Sequence, residues 1–320
     1  MLAGEIYAPQ KIRVIEVPEA QLNGSPGQIV FQPELGCLCG SDFLFYEADY
    51  PEFPPVVGHS LHELIGTVVE SSGTRFGAGD RVLCVPDNQE GLFERFCVSD
   101  ERAIPLDSRP APEHALLAQP LGTVICALRK LPNVIDQNVA VVGQGPIGQL
   151  FCGALRNLGA REIIAIDPLE SRLKTSPSMG ATAVVNNAQD DPAEAVRMIT
   201  GGAMADLVVE AVGHREQAFN LCVSLCRDAG QILVFGVPPK TVDGLHWQSL
   251  MVKNINVQTS INPDFTKDFP LAMRWIAEER IDVSPIITHR FELREIQTAF
   301  ETFHQRRDGA LKVLVDFPAR

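Results

Sequence analysis

Along this chain the rhythm of hydrophobic and polar positions changes near residue 132. Before it, apolar residues come in short runs separated by Gly, Pro, Asn and Asp: Ile29 to Pro33, Leu64 to Val69, Arg81 to Val85 and Phe93 to Val98. Such runs predict the short strands of a mainly antiparallel domain. After it, strand-like runs alternate with helical stretches. Val139 to Val142, Ile163 to Asp167, Ala183 to Val185, Leu207 to Val212, Ile232 to Val237 and Val257 to Ile261 are six predicted strands. Six strands in two βαβαβ halves make a doubly wound parallel sheet. Beyond Phe265 the pattern predicts a helix over Phe269 to Glu279, an extended piece over Ile286 to Phe291, a helix over Leu293 to Phe303 and a last strand over Leu311 to Val315. That strand is expected to return to the first domain. The fold class is therefore α/β, with a parallel-sheet domain over 132–272 inserted into a mainly β domain built from 1–131 and completed by 273–320.

Composition agrees with two globular domains: 320 residues at 45% hydrophobic content bury a large core. No run of eighteen apolar residues occurs, and Met1 to Ile6 has neither the charged start nor the apolar centre of a secretion signal, so the cytoplasm is the expected compartment. The eight cysteines lack the dense spacing of a disulfide framework. Most of them, including Cys222 and Cys226 on one predicted helix, are expected as small core hydrophobes. A net charge of −13 argues against nucleic acid or an anionic membrane as partner.

Gly143-Gln144-Gly145-Pro146-Ile147-Gly148 follows the apolar strand Val139 to Val142 and opens an apolar helix over Gln149 to Leu158. That context suits a dinucleotide. Gly143 allows the tight turn, Gly145 lets backbone approach a pyrophosphate, and Gly148 lets helix and strand pack closely, with the phosphates at the helix N-terminus. Asp167 lies about twenty residues after the glycines, where a carboxylate accepts hydrogen bonds from an adenosine ribose. A 2′-phosphate at roughly 4 Å from it would meet a repulsion of about 4 kcal/mol at an effective dielectric near 20, which favours NAD over NADP. Arg172 and Arg161 are near enough in sequence to soften that repulsion.

A second constellation lies upstream. Cys39, His62 and Glu63 offer a thiolate, an imidazole and a carboxylate, a donor set that suits one zinc ion and leaves a position for water or substrate.

With both motifs in this order, the chain resembles the zinc-containing medium-chain dehydrogenases, the superfamily of alcohol, polyol, threonine and glucose dehydrogenases. The resemblance also rests on Gly79-Asp80-Arg81-Val82, Gln119-Pro120-Leu121-Gly122, Glu210-Ala211-Val212-Gly213, Gly236-Val237-Pro238 and Gly309-Ala310-Leu311-Lys312-Val313, and so spans nearly the whole length. It implies a Rossmann domain inserted in a GroES-like catalytic domain. Cys39 and His62 resemble direct zinc ligands, and Glu63 the adjacent carboxylate, a ligand in some relatives and a neighbour of the ligands in others. Ser41 resembles the hydroxyl that takes the substrate proton, and Asp42 the carboxylate that orients the histidine ligand. Gln119 stands where relatives carry Cys, Asp or Glu, as a weak neutral ligand or a holder of the metal's water. Thr123 resembles a nicotinamide contact, Val212 and Gly236 to Pro238 the loops by the ring, and Lys312 a basic group near the pyrophosphate. The implied chemistry is reversible oxidation of an alcohol or sugar by NAD with one catalytic zinc, in a homodimer or homotetramer formed through the cofactor sheets.

Departures from the pattern carry their own expectations. Only Leu83 to Gly91 stands where many relatives hold a second zinc on four cysteines, so one ion is expected. The glycine that usually precedes the ligand histidine is Leu61, and Gly58-His59-Ser60 lies three residues earlier; His59 competes with His62, which is preferred for its spacing to Gly66 and the following strand. The relay histidine of several relatives is Leu44, so the proton leaves through ribose, water or His59. Cys37, Trp247 and Trp275 are expected in packing roles. His114, His214, His246, His289 and His304 have no motif context, and Lys312 has the rival role of a solvated strand-edge lysine. The substrate loops, Phe43 to Pro54, Pro86 to Leu92 and Asn262 to Asp268, follow no legible signature, although Asp49 and Glu52 hint at a hydroxylated or cationic substrate. A zinc-free reductase and a non-catalytic nucleotide sensor are the rival functions.

Overall fold

Three neighbouring strands carry the chemistry of the first unit. In the computed structural model, which describes residues 1–49, 52–213 and 216–319 (the side chains of Glu216 and Gln217 apart), the strand Gln28–Cys37 pairs antiparallel with Glu63–Ser71 along most of its length. Its first residues also pair with Phe96–Ser99, and its last, Leu35 to Cys37, with the C-terminal strand Lys312–Asp316. The C-terminal strand therefore does return to the first unit. Ile287–Glu292 runs parallel beside it, and Arg81–Cys84 and Ala103–Pro105 extend the sheet on the far side. Register places Cys37 opposite both Glu63 and Leu314, so residues just beyond these strand ends gather at one end of the sheet. Alternate positions fill a core that includes Phe31, Leu61, Leu64, Val68, Phe300 and Val315. A hairpin of Leu2–Ala8 and Lys11–Glu16 is present that the patterning did not predict. It is recognisable only in three dimensions, where Ala3, Ile6 and Ile12 turn inward.

The second unit is a six-stranded, wholly parallel sheet. Its spatial order is Ala183–Val185, Glu162–Ile166, Asn138–Val142, Ala205–Glu210, Cys226–Val234 and Asn256–Thr259. In chain order this reads 3-2-1-4-5-6, the doubly wound arrangement, and all six predicted strands are present. Asn138–Val142 is buried along its entire length, as a strand covered on both faces must be.

The boundaries differ from those expected. The first unit comprises residues 1–119, 265–278 and those from 287 on; the second comprises 120–264 and 279–286. The apolar helix Ala118–Leu128 carries no patterning break, and all but its first two residues belong to the second unit. Asp268–Ala277 packs against Pro112–Leu116 and so belongs to the first. No helix among the described residues is long and apolar enough to cross a membrane.

Candidate functional site

Cys39 lies just beyond the end of Gln28–Cys37, and its backbone turns extended chain into the single helical turn Gly40–Asp42. His62 and Glu63 sit at the start of the neighbouring strand, so pairing of the two strands brings all three residues together. Their ligand atoms lie within 4.8 Å of one another. The Nδ1 of His62 is buried with no hydrogen-bond partner among the described residues, as is the Oγ of Ser41. A thiol, an imidazole and a carboxylate that converge in this way, with a buried ring nitrogen left over, fit a zinc ion.

His59 is not part of that group. Its ring lies against Phe45 at 3.7 Å between centroids, and burial holds its pKa down while Asp42 pulls the other way. The structure thus brings His62, rather than His59, to Cys39. Gln119 is buried at the start of Ala118–Leu128.

Around these three residues, two expected roles need correction. Lys312 is neither solvated nor directed to a pyrophosphate: it is 1% exposed, and its Nζ donates to both Glu63 carboxylate oxygens at 2.7 and 2.6 Å and to the Leu38 carbonyl at 3.4 Å. The reason is register, because Lys312 opens the strand that flanks Gln28–Cys37. Burial pushes the Glu63 pKa up to about 7 against the pull of Lys312. Burial also opposes the ammonium, but Cys37, Glu63 and Cys39 outweigh it and its pKa rises, so the lysine carries the charge. Asp42, expected to orient the imidazole, is bonded elsewhere: Oδ2 accepts from the Cys39 amide at 2.8 Å, and Oδ1 from the Ser60 hydroxyl at 2.6 Å and the Leu61 amide at 3.0 Å. Ser60 and Leu61 were visible in the sequence as a departure from the usual glycine, but their bonds to Asp42 were not. Their only signal was the displaced glycine at Gly58.

In the second unit two of the three motif glycines are sterically required and the third is open. Gly143 has φ 93°, and a Cβ there would meet Val212 Cγ2 at 2.8 Å. A Cβ on Gly148 would lie 1.8 Å from the Gly143 carbonyl oxygen. Gly145 is open, with nothing nearer to a Cβ than the Arg172 guanidinium at 3.9 Å. It is the N-cap of the helix Pro146–Asn157, whose first turn contains Pro146 and Ile147, and as a glycine it brings no side chain to cap the amides there. Asp167 is 2% exposed; it accepts from the amides of Gln144 and Leu169 at 2.8 and 2.9 Å, with Arg172 Nη1 at 3.5 Å. Arg161 is no part of this arrangement, since it forks onto the exposed Asp136 at 2.9 and 2.7 Å. The loop is braced by buried amides that sequence reasoning missed: Gln149 Nε2 donates to the carbonyls of Gln144 and Arg172 and to Ser176 Oγ, and Ser176 donates to Gln144 Oε1. A polar residue on the buried face of an apolar helix was the available signal.

Thr123 donates its hydroxyl to the Pro120 carbonyl at 2.7 Å. Glu210 Oε1 accepts from the amides of Val212 and Gly213, and a Cβ on Gly236 would collide with the Gly213 nitrogen at 2.1 Å. That close packing leaves the Val212 and Val237 side chains exposed. Cys37, Cys222, Cys226 and Trp275 are buried as expected, but Trp247 is 63% exposed and so is not a packing residue within its own chain. His304 pairs with Glu47 at 2.5 Å, and Asp49 and Glu52 are exposed. His214, and Tyr50 and Pro51 of the first substrate loop, lie outside the described residues.

Comparison with known proteins gives a consistent picture. The family model for zinc-binding dehydrogenases matches residues 146–278. L-threonine 3-dehydrogenase of Bacillus subtilis is 26% identical over 92% of each chain. The structure of alcohol dehydrogenase TADH from Thermus sp. ATN1 superposes with a TM-score of 0.90 at 25% identity, over 100% of both chains. That of galactitol-1-phosphate dehydrogenase from Escherichia coli gives 0.88 at 19% identity, over 99% of this chain and 100% of that one.

Proposed function

Since the chain belongs to the medium-chain dehydrogenase/reductase superfamily, we propose that it is a zinc-dependent oxidoreductase that passes hydride between an alcohol and NAD. The observation that carries this reading is the convergence of Cys39, His62 and Glu63 within 4.8 Å. When bound, zinc supplies Lewis acidity to the substrate oxygen and the dinucleotide supplies the hydride acceptor.

The remaining work falls to the protein's own side chains. Cys39 and His62 hold the metal. Glu63, tied to Lys312 through both oxygens, stands beside it as a charge-balanced neighbour. Gln119 is a neutral holder of the metal or its water. Ser41 Oγ, buried with no partner among the described residues, takes the substrate hydroxyl proton and passes it on through the ribose hydroxyl, water or His59, because Leu44 offers no relay. Thr123, Val212, Gly236 and Val237 support the nicotinamide. The open backbone at Gly145 and the uncapped amides of Pro146–Asn157 take the pyrophosphate, and Asp167 takes the ribose hydroxyls, which favours NAD over NADP. The substrate class is a polyol, a sugar or an amino-alcohol, in keeping with relatives named for threonine and galactitol 1-phosphate.

The second copy in a homodimer or homotetramer is proposed to meet the outer edge of the parallel sheet. Asn256–Thr259 is the terminal strand, Val257 on it is exposed, and Trp247, Met251 and Val252 on the preceding helix are each more than 60% exposed. Such a patch beside the terminal strand of a sheet is suited to a partner.

Elemental analysis for zinc, combined with NAD reduction over a panel of polyols, sugars and amino-alcohols, tests the reading. It expects one zinc per chain and turnover that chelation removes. Metal-independent turnover would indicate a zinc-free reductase, and bound zinc without turnover on any alcohol would indicate a sensor.

A further inference from the structure

Immediately before His62 the backbone passes through the left-handed region at two residues that are not glycine: Ser60 at φ 104° and Leu61 at φ 60°, after Gly58 at 82°. A β-carbon is disfavoured there, so such a turn persists only where its surroundings hold it. Two sets of bonds do so. On one side Ser60 N donates to the Gln89 carbonyl at 2.7 Å, while the Ser60 and Gly58 carbonyls accept from the amides of Gly91 and Leu92 at 3.1 and 3.0 Å. On the other side stands Asp42, which is 0% exposed. Its Oδ1 holds the Ser60 hydroxyl and the Leu61 amide, and its Oδ2 holds the amide of Cys39. One carboxylate thus ties the segment that carries the cysteine to the turn that carries the histidine, while His62 Nδ1 receives no bond from it.

We propose that Asp42 is a positioning residue that acts on the metal site through the backbone: it keeps Ser60 and Leu61 left-handed and so fixes His62 at coordinating distance from Cys39. The inference rests on the zinc reading given above. Without the carboxylate the turn relaxes toward ordinary backbone geometry, and His62 moves relative to the thiol.

The test is zinc affinity, measured by competition with a chelator, together with the visible spectrum of the cobalt(II)-loaded protein. Asp42→Asn cannot accept from the Cys39 amide and the turn at once, and is expected to weaken zinc roughly ten- to a hundredfold and to shift the cobalt bands. Ser60→Ala and Ser60→Gly both remove the hydroxyl, but only glycine is at ease at φ 104°. The alanine variant is therefore expected to bind zinc roughly tenfold more weakly than the glycine variant. Added to Asp42→Asn, Ser60→Gly recovers part of the lost affinity and Ser60→Ala none. Equal affinities for the two Ser60 variants, or wild-type affinity and spectrum in Asp42→Asn, would overturn the proposal while leaving the zinc reading intact. If Asp42→Asn does not fold, equal affinities in the Ser60 pair still overturn the proposal. A wild-type protein that binds no zinc would overturn both.

Discussion

Lys312→Met removes one partner of an ion pair whose two side chains are each 1% exposed. At 2.6 Å and an effective dielectric near 20 the attraction is about 6 kcal/mol, and it is offset by several kcal/mol of desolvation for each ion. The pair as a whole is therefore worth little, but breaking it is costly because a buried carboxylate is left uncompensated. The metal-free variant is expected to lose about 3–5 kcal/mol of stability. Adding Glu63→Gln, which removes the stranded charge, should recover most of that loss. Zinc should also rescue the single variant more than it stabilises the wild type, because a divalent ion supplies positive charge beside Glu63. The assay is urea unfolding of metal-free and zinc-loaded protein, followed by Trp275 fluorescence in a Trp247→Phe background, since Trp275 lies in the first unit and Trp247 in the second. A metal-free Lys312→Met protein within about 1 kcal/mol of wild type would refute the reasoning. So would a variant whose single defect is weaker NAD binding, which would return Lys312 to the pyrophosphate.

Other consequences of the geometry are as direct. Gly145→Ala should leave the melting temperature unchanged and weaken NAD roughly tenfold by calorimetry, whereas Gly148→Ala, with its methyl against the Gly143 carbonyl, should lower the melting temperature of the second unit; equal effects would contradict the division of roles. Asp167→Ser should improve NADP affinity relative to NAD by roughly ten- to a hundredfold, part of the Coulomb penalty worked out above, and an unchanged ratio would remove Asp167 from cofactor choice. Burial keeps the folded pKa of His59 below the unfolded value of about 6.5, so the unfolded chain binds more protons. Its stabilising contribution is present above that pH, begins to fall below it and is lost as pH falls through the lower folded value. In metal-free protein, His59→Gln should therefore lose less stability than wild type between pH 7 and 5, and parallel pH profiles would count against this.

How much of the molecule is legible in its sequence depends on the range of the interactions concerned. The succession of the six strands along the chain, the glycine loop with its flanking strand and helix, and the candidates Cys39, His62 and Glu63 could all be read, because periodicity, turn chemistry and donor type are properties of short stretches of chain. The sequence by itself determined which groups were available. Tertiary structure alone decided their partners. Lys312 and Glu63 are 249 positions apart and meet because register sets Gln28–Cys37 between their two strands. Asp42 reaches across to Ser60 and Leu61, Arg161 turns to Asp136, and His62 rather than His59 faces the thiol. Each of these outcomes is a competition between a few hydrogen bonds or charges, and it is won by whichever partner the packed strands bring within about 3 Å, a distance no local pattern encodes.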